Sequence, residues 1–307
     1  MKVDAHVHIF PRIRGQIADG PVLGREYGRA TVGERSVQVL PPLNPRVVHT
    51  PSMLLAAMDL VGVERAVLLQ GPFYGYCNSY VGDAITDFSH RLVGAIAMDP
   101  WKDGRRAFDR AHQAAVTARA FKLEFSEHTG LAGLHREATL NEEAVAWLWD
   151  ELEVRKLVLV VDLGHIGGLG YQTEAVRDLA VSHPALRVVV AHLGQPNPSV
   201  VRGREERRLW LDQIALGILD NVWFDTASLP NYFAHEPSYR GLDRCLRWAI
   251  DTIGPEKLMW GSDIPATLPT ATYHQLYEVI AERLDFLDAS SQRGVFGETA
   301  LKVFWGG

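Results

Sequence analysis

The sequence predicts an α/β fold, a (β/α)8 barrel of the TIM type, on three observations. Eight short apolar runs each precede a stretch of helical periodicity. The runs are continuously apolar instead of alternating, as expected for parallel strands covered outside by helices. The length, 307 residues, suits one such barrel. A doubly wound open sheet is the structural alternative, but no glycine-rich fingerprint follows the first strand. One domain, 1–307, is expected, with 12–51 as an insertion over the mouth of the site.

The first strand opens the chain as Val3-Asp4-Ala5-His6-Val7-His8-Ile9-Phe10. Alternation puts His6 and His8 on one side, a pair suited to a divalent metal. From Arg12 to Pro51 the periodicity lapses, apart from a short hairpin strand over Glu34–Leu40. Such a long irregular connection is uncommon unless it is functional. Strands are then expected over Arg65–Gln70, Leu92–Met98, Ala120–Phe125, Leu157–Asp162, Arg187–His192, Asn221–Thr226 and Lys257–Asp263. Between them lie helices over Ser52–Leu60, Asn78–Ser89, Gly104–Arg119, Asn141–Lys156, Thr173–Ser182, Arg204–Leu219 and Tyr239–Ile253. Thr272–Leu284 follows the last strand, with a final helical piece near Gln292–Phe304.

Composition narrows the function. Apolar residues make up 47% and charged residues 22%, enough for a large core and against disorder. A net charge of −6 with no basic tract argues against a nucleic-acid partner. Two cysteines, Cys77 and Cys245, make no disulfide framework, and the start of the chain has no signal pattern; a cytoplasmic protein is expected. No run of about 18 apolar residues exists to span a membrane.

Active sites of such barrels lie at the C-terminal strand ends. There the sequence places His6 and His8, Lys122 and Glu124, Asp162 with His165 just after, His192, and Asp263. A His-His-carboxylate set with an open position would bind Zn²⁺, Mn²⁺ or Fe²⁺.

These residues resemble the amidohydrolase superfamily, in its amidohydrolase-2 branch, which includes aminocarboxymuconate-semialdehyde decarboxylase and related metal-dependent hydrolases. The pieces that carry the resemblance are Asp4-Ala-His-Val-His, Gly62-Val-Glu-Arg-Ala-Val, Arg91-Leu-Val-Gly, Ala191-His-Leu-Gly, Gly261-Ser-Asp-Ile-Pro and Gly297-Glu-Thr-Ala. The resemblance implies that His6, His8 and Asp263 ligate one divalent metal, zinc foremost, and that His192 is the strand-6 histidine, which in the decarboxylases of this branch acts on the metal-bound water and in dinuclear members binds a second metal. Glu124 stands where some relatives have a further carboxylate ligand. The family usually has a histidine at the end of strand 5; here Val161-Asp162-Leu163-Gly164 stands instead. Asp162, or His165 reaching back from the loop, would replace it.

The expected activity is metal-assisted hydrolysis of a small carboxylated, lactone or amide substrate, with Asp263 moving the proton and Lys122 touching the substrate. The Pro72–Tyr76 loop would form an apolar wall. Non-oxidative decarboxylation of an aromatic or unsaturated acid on the same site is the alternative, and a silent binding barrel the third reading. Relatives of this kind are often homodimers.

Overall fold

The structure is a computed structural model that describes residues 1–236 and 238–306. Among the described residues, twelve strands follow in chain order: β1 (Val3–His8), β2 (Arg14–Ile17), β3 (Gly20–Gly24), β4 (Arg29–Val32), β5 (Arg35–Gln38), β6 (Arg65–Leu69), β7 (Leu92–Ile96), β8 (Ala120–Glu124), β9 (Val158–Asp162), β10 (Val188–Val190), β11 (Val222–Asp225) and β12 (Leu258–Met259). Eight form one parallel sheet in the order β1-β6-β7-β8-β9-β10-β11-β12. Backbone bonds from Ala5 N to Trp260 O (2.9 Å) and His8 N to Ile264 O (2.8 Å) join the last strand to the first and close the barrel. A helix follows almost every barrel strand, so the β/α alternation read from the sequence is the architecture of the molecule.

Alternate residues of the barrel strands fill its interior. Val3, Ala5, Val67, Leu69, Val93, Ala95, Ala120, Val158, Val160, Val189, Trp223 and Met259 pack into one buried cluster, joined by Val303 and Phe304 from the C-terminal segment. The opposite parity, with Val7, Leu68, Leu123, Val161 and Phe224, packs against the helices in a second, larger cluster. Strand β1 slips register between Asp4 and Val7. The slip lets Val3 and Ala5 stay in the interior cluster while His6 and His8 also face inward, above it.

Local chemistry places the helix starts. The first helix starts at Pro51, one residue before the expected Ser52, and Thr50 caps it: the Thr50 hydroxyl accepts from Met53 N and Pro51 takes the first helical position. Asp99 caps the helix that begins at Pro100, which starts earlier than expected and breaks at Gly104, where φ is 64°. Thr272 and Gln275 form a capping box.

Residues 12–51 are more ordered than their periodicity predicts. They form an antiparallel sheet, β2-β3-β4-β5, in place of one short hairpin strand. Its own small core is Ile13, Ile17, Val22, Ala30, Val32, Leu40 and Val47, closed by Phe10. Strand β2 is tied to the loop after β6, with Arg14 N on Tyr74 O (3.0 Å) and Gln16 N on Pro72 O (2.9 Å). No helix among the described residues is long and apolar enough to cross a membrane.

Candidate metal and catalytic centre

A cavity of about 400 Å³ opens at the C-terminal ends of the barrel strands. His6, His8, Glu124, Asp162, His192 and Asp263 line it, so the structure brings six of the eight sequence candidates together.

Each of the two β1 histidines has its Nδ1 on an acceptor. His6 Nδ1 lies 3.0 Å from Asp225 Oδ2, and His8 Nδ1 lies 3.0 Å from the Leu69 carbonyl. A neutral imidazole bonded this way carries its proton on Nδ1 and a lone pair on Nε2. Both Nε2 atoms face Asp263 Oδ1, at 3.9 Å for His6 and 3.0 Å for His8. Burial, the largest influence, drives His6 down to about 4 despite the Asp225 carboxylate, so this ring is neutral near pH 7. Two nitrogen lone pairs and one carboxylate oxygen therefore converge on one point. That is a donor set for a cation, and the Asp225–His6 bond is the outer support that such ligands have in metal sites.

Asp263 is set by strong local constraints. Its φ is 61°, its N–H donates to His6 O (2.8 Å), and its Oδ2 accepts from the Ser228 hydroxyl. Burial raises its carboxyl, but the contact with His8 and the nearby His6 and His192 rings outweigh burial and hold it below the usual carboxylate range. Gly261, two residues before it, must be glycine: a Cβ there would lie 2.9 Å from His6 Cβ. Asp4 ties the two segments together, accepting from His6 N, Ser262 N, Ser262 Oγ and Tyr273 OH.

His192 departs from its expected place on a strand. Strand β10 ends at Val190, and residues 192–195 form one left-handed turn, with φ of 60°, 50°, 66° and 52°. Three of the four are not glycine, and each such residue costs about 1–2 kcal/mol in this conformation. Fixed partners hold the turn: His192 N donates to Asp225 Oδ1 (2.8 Å), and Trp210 Nε1 donates to Leu193 O (2.8 Å). The turn delivers His192 and Gln195 to the two oxygens of Asp162. His192 Nε2 lies 3.0 Å from Oδ2, and Gln195 Nε2 donates to Oδ1 over 2.9 Å. His192 Nδ1 faces the Ala227 carbonyl at 3.2 Å. With acceptors at both nitrogens, His192 has the bonding pattern of an imidazolium. Burial alone would strip its proton, but the Asp162 carboxylate offsets this and lifts the ring to about 10.

Glu124 lies apart from the His6–His8–Asp263 convergence, and no metal-holding group among the described residues includes it. Its Oε1 accepts from Ser126 Oγ (2.6 Å). Burial, then the charge of Asp162, push its carboxyl up to about 7, against the pull of Lys122 and Ser126.

Two candidates are placed elsewhere. Lys122 faces the barrel interior below the cavity, its side chain fully buried and its Nζ 3.4 Å from Glu124 Oε2; it does not reach the wall where a substrate would sit. One residue separates it from Glu124 on β8, so it shares that face one layer deeper. His165 is exposed and stacks on His128, ring centroids 5.1 Å apart, so it does not reach back to replace a strand-5 histidine. Asp162 occupies that place.

Several residues of the site lie outside the sequence-derived set. Asp225 and Ser228 were visible as polar groups near the end of strand 7, but nothing in the sequence tied them to particular histidines. Gln195 and Tyr232 also line the cavity, as do Gln38 and Val39 from β5 and the residue after it. From the Pro72–Tyr76 loop, Phe73 and Tyr74 supply the expected apolar wall, with Tyr74 against the His8 ring at 5.0 Å between centroids. Pro72, Gly75 and Tyr76 face a second cavity instead.

Residues 3–305 match a family model described as Amidohydrolase. A stretch of 66 residues is 32% identical to L-fucono-1,5-lactonase of Burkholderia multivorans, covering 21% of this chain and 22% of that protein. The match thus spans about a fifth of the relative's length. Among solved structures, an amidohydrolase from Burkholderia multivorans with bound zinc superposes with a TM-score of 0.72 at 18% identity over 99% of both chains. A probable 2-pyrone-4,6-dicarboxylic acid hydrolase from Acinetobacter baumannii, with citric acid bound, gives 0.69 at 15% identity over 99% of both chains.

Proposed function

The chain belongs to the Amidohydrolase family, and on that premise we propose that it is a metal-dependent hydrolase that opens small cyclic esters. One observation carries the reading: His6 and His8 are both anchored through Nδ1 and both aim Nε2 at one oxygen of Asp263. These three side chains would hold a divalent ion, zinc first among the candidates. When bound, such an ion supplies a Lewis acid and acidifies water.

The chain's own residues supply the rest. Asp263, held anionic, receives the proton that a water loses on attacking the ester carbonyl, and returns it to the departing ring oxygen. His192, paired with Asp162, sets a fixed positive charge at the cavity wall where negative charge develops on the carbonyl oxygen. Phe73 and Tyr74 exclude bulk water on one side. We read residues 12–51 as an insertion within one domain, whose Gln38 and Val39 complete the wall at the mouth. The substrate class draws on two names among the similar proteins, one for a 1,5-lactone and one for a 2-pyrone, both ring esters.

The test is protein stripped with a chelator, then reloaded with Zn²⁺, Mn²⁺ or Fe²⁺. Ring opening of a lactone panel is followed by acid release. Loss of activity on stripping and its return with one of these ions is expected. Full activity without metal overturns the metal role. Carbon dioxide release from aromatic acids, with no lactone opened, overturns hydrolysis in favour of decarboxylation.

A further inference from the structure

We propose, resting on the hydrolase reading above, that the cavity selects an uncharged, hydroxyl-bearing cyclic ester and that Glu124 is the residue that selects it. The cavity has two unlike walls. Phe73, Tyr74 and Val39 make an apolar one, while Glu124 and Thr129 stand on a polar one. A sugar-like ring has the same two aspects, a C–H face and a hydroxyl edge, and buries the first against aromatic carbon.

The charge on the polar wall decides between substrates. Among the described residues that line the cavity there is no lysine or arginine, and the imidazolium of His192 already has both nitrogens on acceptors, Asp162 Oδ2 and Ala227 O. The two residues outside the description are Pro237 and Gly307, neither of them a cation. Lys122, 3.4 Å from Glu124 Oε2, lies beneath the floor with its side chain fully buried. A substrate carboxylate remote from the reacting ester would therefore be desolvated beside Glu124 with no guanidinium or ammonium to receive it, which is unfavourable. A hydroxyl is received in any state of Glu124, because it both donates and accepts. Among the described residues, Glu124 accepts a hydrogen bond at Oε1 alone, from Ser126 at 2.6 Å, while Oε2 lies 3.4 Å from Lys122 Nζ. Ser126 Oγ in turn meets Thr129 Oγ1 at 2.9 Å, which extends a run of hydroxyls along this wall. Both hydrogens of the Gln38 amide are spent on the carbonyls of Tyr27 and Leu40, leaving its oxygen as a further acceptor for a hydroxyl.

The experiment uses the full chain loaded with Zn²⁺ and a matched pair of substrates. D-glucono-1,4-lactone and D-glucaro-1,4-lactone differ only in a CH₂OH against a carboxylate at C6. The corresponding galacto pair guards against a mismatch of configuration, and dihydrocoumarin reports ring opening with neither hydroxyl nor charge. The neutral member of a pair is expected to exceed the acid in kcat/KM by about tenfold or more. Glu124→Gln is expected to shrink that ratio, mainly by lowering the KM of the acid, and Glu124→Lys to reverse it. An acid opened as well as its neutral partner by the wild type overturns the proposal, as does a ratio unmoved in Glu124→Gln. The wild-type ratio stands whether or not the variants fold. If dihydrocoumarin is opened while the neutral lactone has no advantage, the specificity fails and the hydrolase reading survives. If zinc-loaded protein opens no lactone, the hydrolase reading fails, and this proposal with it.

Discussion

Gln195 Nε2 donates to Asp162 Oδ1 over 2.9 Å, on the oxygen opposite the one that His192 holds at 3.0 Å. The strand-5 carboxylate is thus gripped from both sides by a single left-handed turn. Gln195→Leu removes one grip and leaves a buried carboxylate oxygen with only the Gly164 N–H (2.8 Å) as partner. A loss of about 1–3 kcal/mol in stability is expected, the cost of an under-satisfied charged acceptor. Urea unfolding compared with wild type measures it, and an unchanged midpoint refutes it.

Among the described residues, Asp162 belongs to neither possible metal-holding group, His6–His8–Asp263 or His6–His192–Asp225. Asp162→Asn is therefore expected to leave metal stoichiometry near the wild-type value while kcat falls by on the order of 10²-fold, the usual effect of removing one fixed electrostatic partner. Elemental analysis beside steady-state kinetics checks both halves. Loss of the metal in Asp162→Asn would place Asp162 among the ligands.

Asp225 stands behind the proposed metal site, on His6 Nδ1. Asp225→Asn keeps a similar shape but replaces the charged acceptor at His6 Nδ1, 3.0 Å away. Metal affinity is expected to fall by about 10–100-fold, while His6→Ala abolishes stoichiometric binding. Competition against a coloured chelator measures both. Equal affinity in Asp225→Asn would remove the supporting role.

Trp210 holds the strained turn through its bond to Leu193 O and is fully buried. Trp210→Phe loses that bond and leaves a gap. A destabilisation of about 1–3 kcal/mol is expected, together with a lower kcat as His192 drifts from Asp162. A stability loss with unchanged kcat would show that the turn holds without this bond.

His49 gives the protein an acid-side weakness. Burial, the largest influence, lowers its imidazole to about 4; the hydrogen bond to the His8 carbonyl opposes this and the His8 ring adds to it. The unfolded chain protonates the same ring near 6.5. Between these values the unfolded state binds more protons, so the contribution is whole above pH 6.5 and is lost as pH falls toward 4. The full swing is roughly 3 kcal/mol. Unfolding midpoints of chelated protein across that range should decline, and less steeply in His49→Gln. Parallel curves would exclude the ring as the cause.

The barrel was legible because its signals are local: eight apolar runs, a helical period after each, and polar residues at the strand ends. His6 and His8 were legible through strand alternation, and Asp263 through its place at the end of the expected last strand, Lys257–Asp263, although that strand stops at Met259. The rest depends on tertiary context. Nothing in Ala191-His-Leu-Gly-Gln announces a left-handed turn, because Leu193 and Gln195 are poor residues for it and only Asp225, Asp162 and Trp210, all distant in sequence, hold it there. Lys122 and Glu124 share a face of β8 as expected, but which of them reaches the cavity depends on depth in the barrel, which alternation does not give. The sheet of residues 12–51 escaped because its strands are short and half-exposed, with apolar positions too few to show a period.

His8 and Asp263 stand 255 positions apart, yet their side chains lie 3.0 Å from each other. The first and last strands of the barrel must therefore meet before the proposed donor set exists, as the Ala5 N–Trp260 O and His8 N–Ile264 O bonds require. Affinity for an added divalent ion would then report closure of the barrel in a refolding experiment.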